Sequence, residues 1–314
     1  MVNIILSTYN GETYIGEQIE SILDSEYPDF RLFVFDDVSS DKTPEIVSGY
    51  EKAHPEKICF VRNGHNKGCC RNFLEGLAYA FKNAPADYYV FCDQDDVWLE
   101  NRLNVCLAHM RELEEEYSAD TPLLEFTDAI LVDEHTDSLG NTFFKADRLN
   151  TRNLEFSRIL MENRVIGCTS FMNAALARKI TDSTAQGFDK RIRFHDWWAA
   201  LAASAFGRIS FIDVPTVLYR QHGKNVVGQK DFSGYVKDRL KDAGDNRSRI
   251  RKTVAQASAF HKAYSSKLSD RNEELLREFI ALGWAGPIER RRLILKNGFY
   301  KSGLIRNIGL LTMI

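Results

Sequence analysis

The chain has 314 residues, 44% hydrophobic and 27% charged, with a formal net charge of -3. That length suits about two ordinary domains and a sizeable core, and the near-neutral balance argues against a general nucleic-acid binder. Six cysteines, Cys59, Cys69, Cys70, Cys92, Cys106 and Cys168, show neither paired zinc spacing nor disulfide-scaffold density, so reduced thiols are expected. The start of the chain lacks a basic lead, and no stretch approaches the roughly 18 apolar residues of a bilayer span. A cytoplasmic protein is expected, with attachment to the inner face of the plasma membrane left open.

Residues 2–7 form a short apolar run of the buried-strand kind, followed by Ile15, Ile19, Ile22 and Leu23 at helical spacing. A second apolar run, 32–35, ends in Asp36-Asp37, and Thr43-Pro44-Glu45 has the cap, first-turn proline and early acid of a helix start. Residues 58–61 read as a third strand, 70–82 as a helix, 88–92 as a fourth strand and 99–116 as a long helix. Strands alternating with helices of this length imply right-handed crossovers and a mostly parallel sheet covered on both faces. Further on, 124–131 and 169–172 read as strands, 157–161 and 174–180 as helices, and another helix starts at Asp196. Two short strands, 209–212 and 216–220, are expected around Asp213-Val214-Pro215.

In open α/β sheets, ligands bind outside the carboxyl ends of the strands. Here those ends carry Ser7-Thr8-Tyr9-Asn10, Asp36-Asp37, Arg62-Asn63 and Asp93-Gln94-Asp95-Asp96. Three carboxylates in four positions raise one another's pKa unless a cation sits among them. Mg²⁺ or Mn²⁺ takes oxygen ligands of this type and would in turn hold a diphosphate. Two blander or rival readings stand beside that one. Asp96 is placed to cap the helix near Leu99. Alternatively, Asp93 and Asp95 resemble the nucleophile and acid/base of haloacid-dehalogenase-type phosphatases, although that loop usually follows an N-terminal strand. Asp36-Asp37 with Ser39 and Asp41 could be an Asx-type turn; on the ligand edge, a carboxylate there could instead accept the imide N–H of uracil or thymine. Thr8, Tyr9 and Arg71 could flank a base or a phosphate.

Five motifs in order carry a resemblance: Ser7-Thr8-Tyr9-Asn10, Asp36-Asp37-Val38-Ser39-Ser40-Asp41, Asn66-Lys67-Gly68 with Arg71-Asn72, Asp93-Gln94-Asp95-Asp96-Val97-Trp98 and His195-Asp196-Trp197-Trp198. Over roughly residues 3–228 the chain resembles family 2 glycosyltransferases of the GT-A fold. The variants DQDDVW, HDWW and YRQHGKN look most like bacterial rhamnosyltransferases of cell-wall and surface polysaccharide synthesis. The resemblance implies a Rossmann-like, mixed but mostly parallel sheet in residues 1–228 and an inverting, metal-dependent transferase. It implies that Ser7, Tyr9 and Asp37, with neighbours Thr8 and Asp36, hold a pyrimidine nucleoside, with Arg71 near base or phosphates. Asp93, Gln94 and Asp95 would hold ribose and diphosphate, and Asp93, Asp95 and Asp96 a Mn²⁺ or Mg²⁺ ion. Asp196 matches the catalytic base, which takes the acceptor hydroxyl's proton. His195 would orient the site and Trp98 would contact sugar or acceptor; Trp197 and Trp198 could stack on a sugar or, at helical positions, equally be core, and His222 and Lys224 could reach metal or diphosphate or be plain surface. The expected donor is dTDP-rhamnose, with a UDP-hexose as alternative, and the acceptor a glycan or polyprenyl-linked sugar. A silent nucleotide-binding scaffold is the non-enzymatic alternative.

Residues 229–314 change texture to a helical, charge-rich extension. Its end sets Arg290, Arg291, Arg292, Lys296, Lys301 and Arg306 against Glu289, with Leu293, Leu295, Phe299, Leu304, Ile308 and Leu311 between them. Such a basic amphipathic segment suits an anionic membrane surface or, equally, packing on the protein or a twin subunit in a homodimer.

Overall fold

The structure, a computed structural model, describes residues 1–185, 187–222 and 243–313. Lys224, the proposed boundary at 228/229 and the first part of the extension lie outside the described residues. Strands β1 (Val2–Thr8), β2 (Phe30–Asp36), β3 (Ile58–Arg62) and β4 (Tyr88–Cys92) alternate with helices α1 (Ile15–Leu23), α2 (Thr43–Ala53) and α3 (Cys69–Asn83). All four strands are parallel, in the order β3-β2-β1-β4. Nearly every residue of β1 and β4 is buried, because helices cover both faces. The Ile15, Ile19, Ile22 stripe of α1 and the Phe73, Leu74, Leu77, Ala80 stripe of α3 supply that cover.

Beyond β4 come the short β5 (Val97–Trp98), α4 (Arg102–Tyr117), β6 (Leu123–Val132), β7 (Ser138–Thr142), α5 (Phe143–Asp147) and α6 (Phe156–Met161). A 3₁₀ turn at Gly167–Thr169, β8 (Ser170–Asn173), α7 (Ala174–Thr184), α8 (His195–Phe206) and β9 (Arg208–Arg220) follow. β8 runs antiparallel between β4 and β6, β9 is parallel to β6, and β5 closes the far edge. The mixed, mostly parallel sheet expected from the sequence is therefore present. β5, β7 and α5 were not expected, being too short for a periodic signal. The two strands expected around Asp213-Val214-Pro215 are one continuous strand. Register shifts around Asp128 of β6 let Pro215 sit within the ladder without a backbone N–H.

Helices α9 (Ala243–Tyr264), α10 (Asp270–Ala281), α11 (Pro287–Asn297) and α12 (Leu304–Met313) form the extension. They share the main core: Phe260 meets Trp198 edge-on at 5.3 Å between centroids, and Tyr264 donates to the Lys179 carbonyl at 2.9 Å. No described helix is long and apolar enough to cross a membrane. All six cysteines are free thiols.

Candidate active site

The acidic stretch turns from the end of β4 into β5, at the ligand edge of the sheet. Asp93 and Asp96 lie with Cys168 so that their ligand atoms are within 4.8 Å of one another. Asp95 points elsewhere: its Oδ2 is 3.0 Å from Nε2 of His222, from the end of β9. Burial, then the charges of Asp96, Asp95 and Asp196, push Asp93 well above the usual carboxylate range. Burial and then Asp95 push Asp96 up to about 7. The buried Asp96 carboxylate lies beside the Cys168 thiol, which hydrogen-bonds it. Buried carboxylates this crowded are what a hard divalent cation relieves, so the oxygen donor set fits Mg²⁺ or Mn²⁺. A thiol is a poor ligand for either ion, which leaves the carboxylates and His222.

Asp96 does not cap a helix. α4 begins three residues later than expected, at Arg102, and Oδ1 of Asp96 instead accepts the Arg220 backbone N–H at 3.1 Å. Arg220, which the sequence reading did not single out, is 1% exposed and braces the whole loop. Its guanidinium donates to the carbonyls of Asp95 at 2.9 Å and Glu134 at 2.6 Å, and to the Glu17 carboxylate at 2.6 Å. It lies 4.6 Å over the Tyr14 ring, which also packs 5.0 Å from the His222 ring. The signal available in sequence was only an arginine two residues before His222.

Gln94 ties the acidic loop to the end of β1. Its Oε1 accepts from the Thr8 hydroxyl at 2.6 Å and the Tyr9 N–H at 2.8 Å. Gly11 makes room for it, since a Cβ there would sit 2.4 Å from that oxygen. Ser7 accepts from Asn72 at 2.7 Å, while the Tyr9 side chain stands 50% exposed at the sheet edge. Asp36 is fully buried, accepting from the Ser39 N–H and pairing with Arg62 at 3.2 Å. Asp37 receives the N–H groups of Lys67 at 2.8 Å and Gly68 at 2.7 Å, and the Asn63 amide at 2.9 Å. Both acids thus organise the loop that leads into α3; the Lys67 N–H also reaches the second Asp37 oxygen at 3.0 Å, so three donors make four bonds to that carboxylate. Arg71 is held by Glu75 one turn on, at 2.6 Å.

Asp196 lies in the first turn of α8, where Oδ1 accepts the Trp197 N–H and where Asn163 and the Gly167 backbone also bond the carboxylate. Burial outweighs these bonds and raises it to about 6. The Gly167 backbone that bonds Asp196 directly precedes Cys168, whose thiol lies within 4.8 Å of the Asp93 and Asp96 ligand atoms, so the α8 start sits beside the acidic loop. Helix α9 props this corner. Gln256 accepts the Arg193 N–H at 2.8 Å, and Thr253 accepts from the Arg193 guanidinium at 2.8 Å.

Of the two readings open for Trp197 and Trp198 the core one holds, and Trp98 and His195 are core positions too. Trp98, Trp197 and Trp198 are 3%, 5% and 1% exposed. The indole N–H of Trp197 is spent on the Ile159 carbonyl and that of Trp198 on Ser183, because α8 is covered on several sides. His195 is buried, stacked 3.8 Å from Phe73, and burial drops it to about 3, so it is neutral and faces away from solvent. Gly167 lies against it; a Cβ there would come 2.7 Å from Nε2. A separate cleft of about 680 Å³, lined by Phe144, Lys145, Arg152 and Arg208 among others, contains none of the expected residues.

Residues 3–184 match the family model described as Glycosyl transferase family 2. An uncharacterized glycosyltransferase of Rickettsia typhi is 28% identical over 65% of this chain and 60% of its own length. The dTDP-rhamnosyl transferase RfbG of Shigella flexneri is 26% identical over 71% of this chain and 73% of its own. A UDP-Glc:alpha-D-GlcNAc-diphosphoundecaprenol beta-1,3-glucosyltransferase of Escherichia coli is 33% identical over 35% of this chain and 41% of its own. Of these three, the first and third are thus matched over less than two thirds of their length. The fold is shared with S. aureus TarS in complex with UDP-GlcNAc, at a TM-score of 0.57 and 20% identity, over 90% of this chain and 71% of that one. It is also shared with a mannosyltransferase of Pyrobaculum calidifontis in complex with GDP-Man and Mn²⁺, at 0.54 and 16%, over 99% and 78%.

Proposed function

Since the chain belongs to glycosyl transferase family 2 and has the GT-A fold, we propose that it transfers a sugar from a nucleoside diphosphate onto a hydroxyl of a glycan or polyprenyl-linked acceptor, with inversion. Family membership removes the phosphatase alternative. The observation that carries the proposal is that Gly167-Cys168 joins Asp196 to the acidic loop: Gly167 bonds Asp196, and the Cys168 thiol lies within 4.8 Å of Asp93 and Asp96. Asp93 and Asp95, with His222, are the ligands proposed for a Mn²⁺ or Mg²⁺ ion. Asp96, whose Oδ1 accepts the Arg220 N–H and which lies with Asp93, is the alternative ligand. Such an ion would neutralise charge on the departing diphosphate.

The rest falls to the chain's own groups. Asp196 takes the proton of the acceptor hydroxyl as its oxygen attacks the anomeric carbon from the face opposite the diphosphate. A pKa of about 6 keeps it ionised at neutral pH yet basic enough to accept a proton. One carboxylate suffices because a diphosphate leaves without being protonated, unlike the leaving groups of two-carboxylate glycosidases. Tyr9, exposed at the sheet edge, is proposed to pack on the nucleoside, with Asp37 accepting the imide N–H and Arg71 near the phosphates. The donor proposed first is dTDP-rhamnose, supported by the RfbG match. A UDP-hexose is the second reading, favoured by the match to a UDP-glucose enzyme. The setting is bacterial surface polysaccharide synthesis at the inner face of the plasma membrane.

Turnover of a panel of dTDP- and UDP-sugars, with and without Mn²⁺, tests the proposal. Wild type should consume one donor only with metal, and Asp196→Asn should lose transfer by at least about 10²-fold. Tight nucleotide binding without turnover of any donor would identify a scaffold instead.

A further inference from the structure

The cleft of about 680 Å³ that holds none of the expected residues lies on one face of β6 and β9. Side chains alternate along a strand, so Phe126 and Asp128 of β6 share that face, and Phe126 packs 5.1 Å from Phe211 of β9 between ring centroids. Phe144 of α5 meets Phe211 edge to face at 5.0 Å. The opposite wall, residues 149–155, has no helix or strand of its own and is tied down instead. The Arg164 guanidinium, 2% exposed, donates to the Asn153 carbonyl at 2.5 Å, and the Ser302 hydroxyl accepts the Asn150 N–H at 2.9 Å. Walls held in this way form the cleft before any ligand arrives.

Asp128 lines this cleft although only 3% of it is exposed. Its Oδ1 accepts the Ala129 N–H at 2.8 Å and the Phe144 N–H at 3.2 Å. Its Oδ2 takes no hydrogen bond from a described residue and is not sealed from solvent, so it opens on the cleft. The sheet is irregular at this point: Thr127 pairs with Ile212 but Asp128 with Pro215, and a bulge of this kind re-aims a side chain. A nearly buried carboxylate oxygen that the chain leaves unpaired is satisfied by a donor from a ligand. Around it stand Lys145, Arg152 and Arg208, with Glu155 and Asp213, all exposed and none in an ion pair with a described residue. With Asp128 that makes three cations and three carboxylates, a balance that favours neither a polyanion nor a polycation. It suits a neutral ligand that both donates and accepts at many positions and has an apolar face. A saccharide is such a ligand: hydroxyls donate to Asp128 and accept from the three cations, and the C–H face of the ring packs on Phe144 and Phe211.

We propose that this cleft is a saccharide-binding site separate from the reaction centre. Helix α8 relates the two: Asp196 is in its first turn and Ser204, a cleft residue, lies eight residues on, about 12 Å along the axis. Assigning the bound sugar to the acceptor chain rests on the transferase reading; saccharide binding itself does not. Purified full-length chain, in EDTA and without nucleotide, is titrated with neutral di- and trisaccharides of glucose, galactose, N-acetylglucosamine and rhamnose, by ligand-observed NMR and calorimetry. At least one should bind wild type with a Kd below about 1 mM. Asp128→Asn, and Lys145→Ala with Arg152→Ala, should each weaken that binding at least tenfold. The two cations are exposed, so their removal should leave the melting temperature unchanged and keeps the test valid if Asp128→Asn folds poorly. Metal-dependent donor hydrolysis should persist in both variants, since neither touches the proposed active site. Binding by no member of the panel, or binding that the Lys145/Arg152 variant retains in full, overturns the proposal. So does displacement of the saccharide by UDP or dTDP with Mn²⁺, which would place it at the reaction centre, or by inorganic phosphate, which would make the cleft an anion site. Saccharide binding without turnover of any donor would sink the transferase reading and leave the cleft's role standing.

Discussion

Arg220→Gln separates a brace of the acidic loop from an ordinary core bond. The guanidinium supplies the Asp95 and Glu134 carbonyls with donors and pairs with Glu17. Each orphaned carbonyl costs about 1 kcal/mol. Glu17 is half in solvent, so the lost ion pair adds only about 1 kcal/mol more. The total of about 3 kcal/mol, over an unfolding entropy of roughly 0.7 kcal/mol/K for 314 residues, lowers the melting temperature by about 4 °C. A glutamine is too short to reach all three partners, and the Asp95–Asp96 turn loses its tether to β9. The functional effect should therefore fall on assembly of the site: the metal concentration for half-maximal rate and the KM for donor rise about tenfold, while kcat at saturation changes less. Arg220→Lys keeps the charge but not the fork and should lie closer to Gln than to wild type. Calorimetry and donor turnover across a Mn²⁺ series measure both effects. A 4 °C loss with unchanged metal and donor dependence would refute the bracing role and leave only a packing bond.

Asp196→Asn should abolish transfer yet stabilise the fold. The folded-state pKa is raised to about 6, so the ionised carboxylate costs stability that is absent below about pH 4 and complete above 6, by at most about 3 kcal/mol; a variant that melts lower than wild type at pH 8 argues against it. For the same reason the wild-type rate should fall about tenfold per pH unit below 6 and level off above; a profile flat down to pH 5 assigns the base elsewhere. Trp197→Phe and Trp198→Phe should each lower the melting temperature and leave acceptor KM within about twofold, since both rings are core; a tenfold rise in KM would restore them to the acceptor site. In the core beneath, burial raises Glu125 to about 7, and hydrogen bonding to Glu125 raises its partner His109. The glutamate's penalty grows from its unfolded value to about 7, and the histidine's contribution is lost as pH rises through its folded value. Both make wild type less stable at pH 8 than at 5.5, and Glu125→Gln should flatten that slope in urea unfolding.

The first four strand–helix units were legible because each strand is a short apolar run closed by a polar cluster, and each helix carries one buried stripe. Asp93, Asp95 and Asp196 could be nominated from sequence because concentrated charge after a buried strand, or at a helix start, has few structural explanations. Arg220 was not. Its partners are two carbonyls and Glu17, at sequence separations of 86 to 203 residues, and an isolated arginine at a strand end carries no trace of them. Likewise, an aromatic pair at a helix start suits a sugar-stacking wall as well as a core. What decides is cover, and the cover over Trp198 comes from Phe260 and Tyr264 of α9, some sixty residues away.

That cover changes how the extension relates to the site. Composition set it apart as a charge-rich appendage, yet its helix α9 holds Arg193 through Thr253 and Gln256, three residues before the proposed base. The Arg193 guanidinium lies 5.1 Å over the Trp197 ring, so α9, the segment leading into α8 and the first turn of α8 form one packed unit. A helix start so fixed can hold Asp196 in a buried setting that raises its pKa, whereas a frayed one would let the carboxylate reach water and return to its ordinary value. The extension thereby supports the setting of the proposed base rather than standing apart from it.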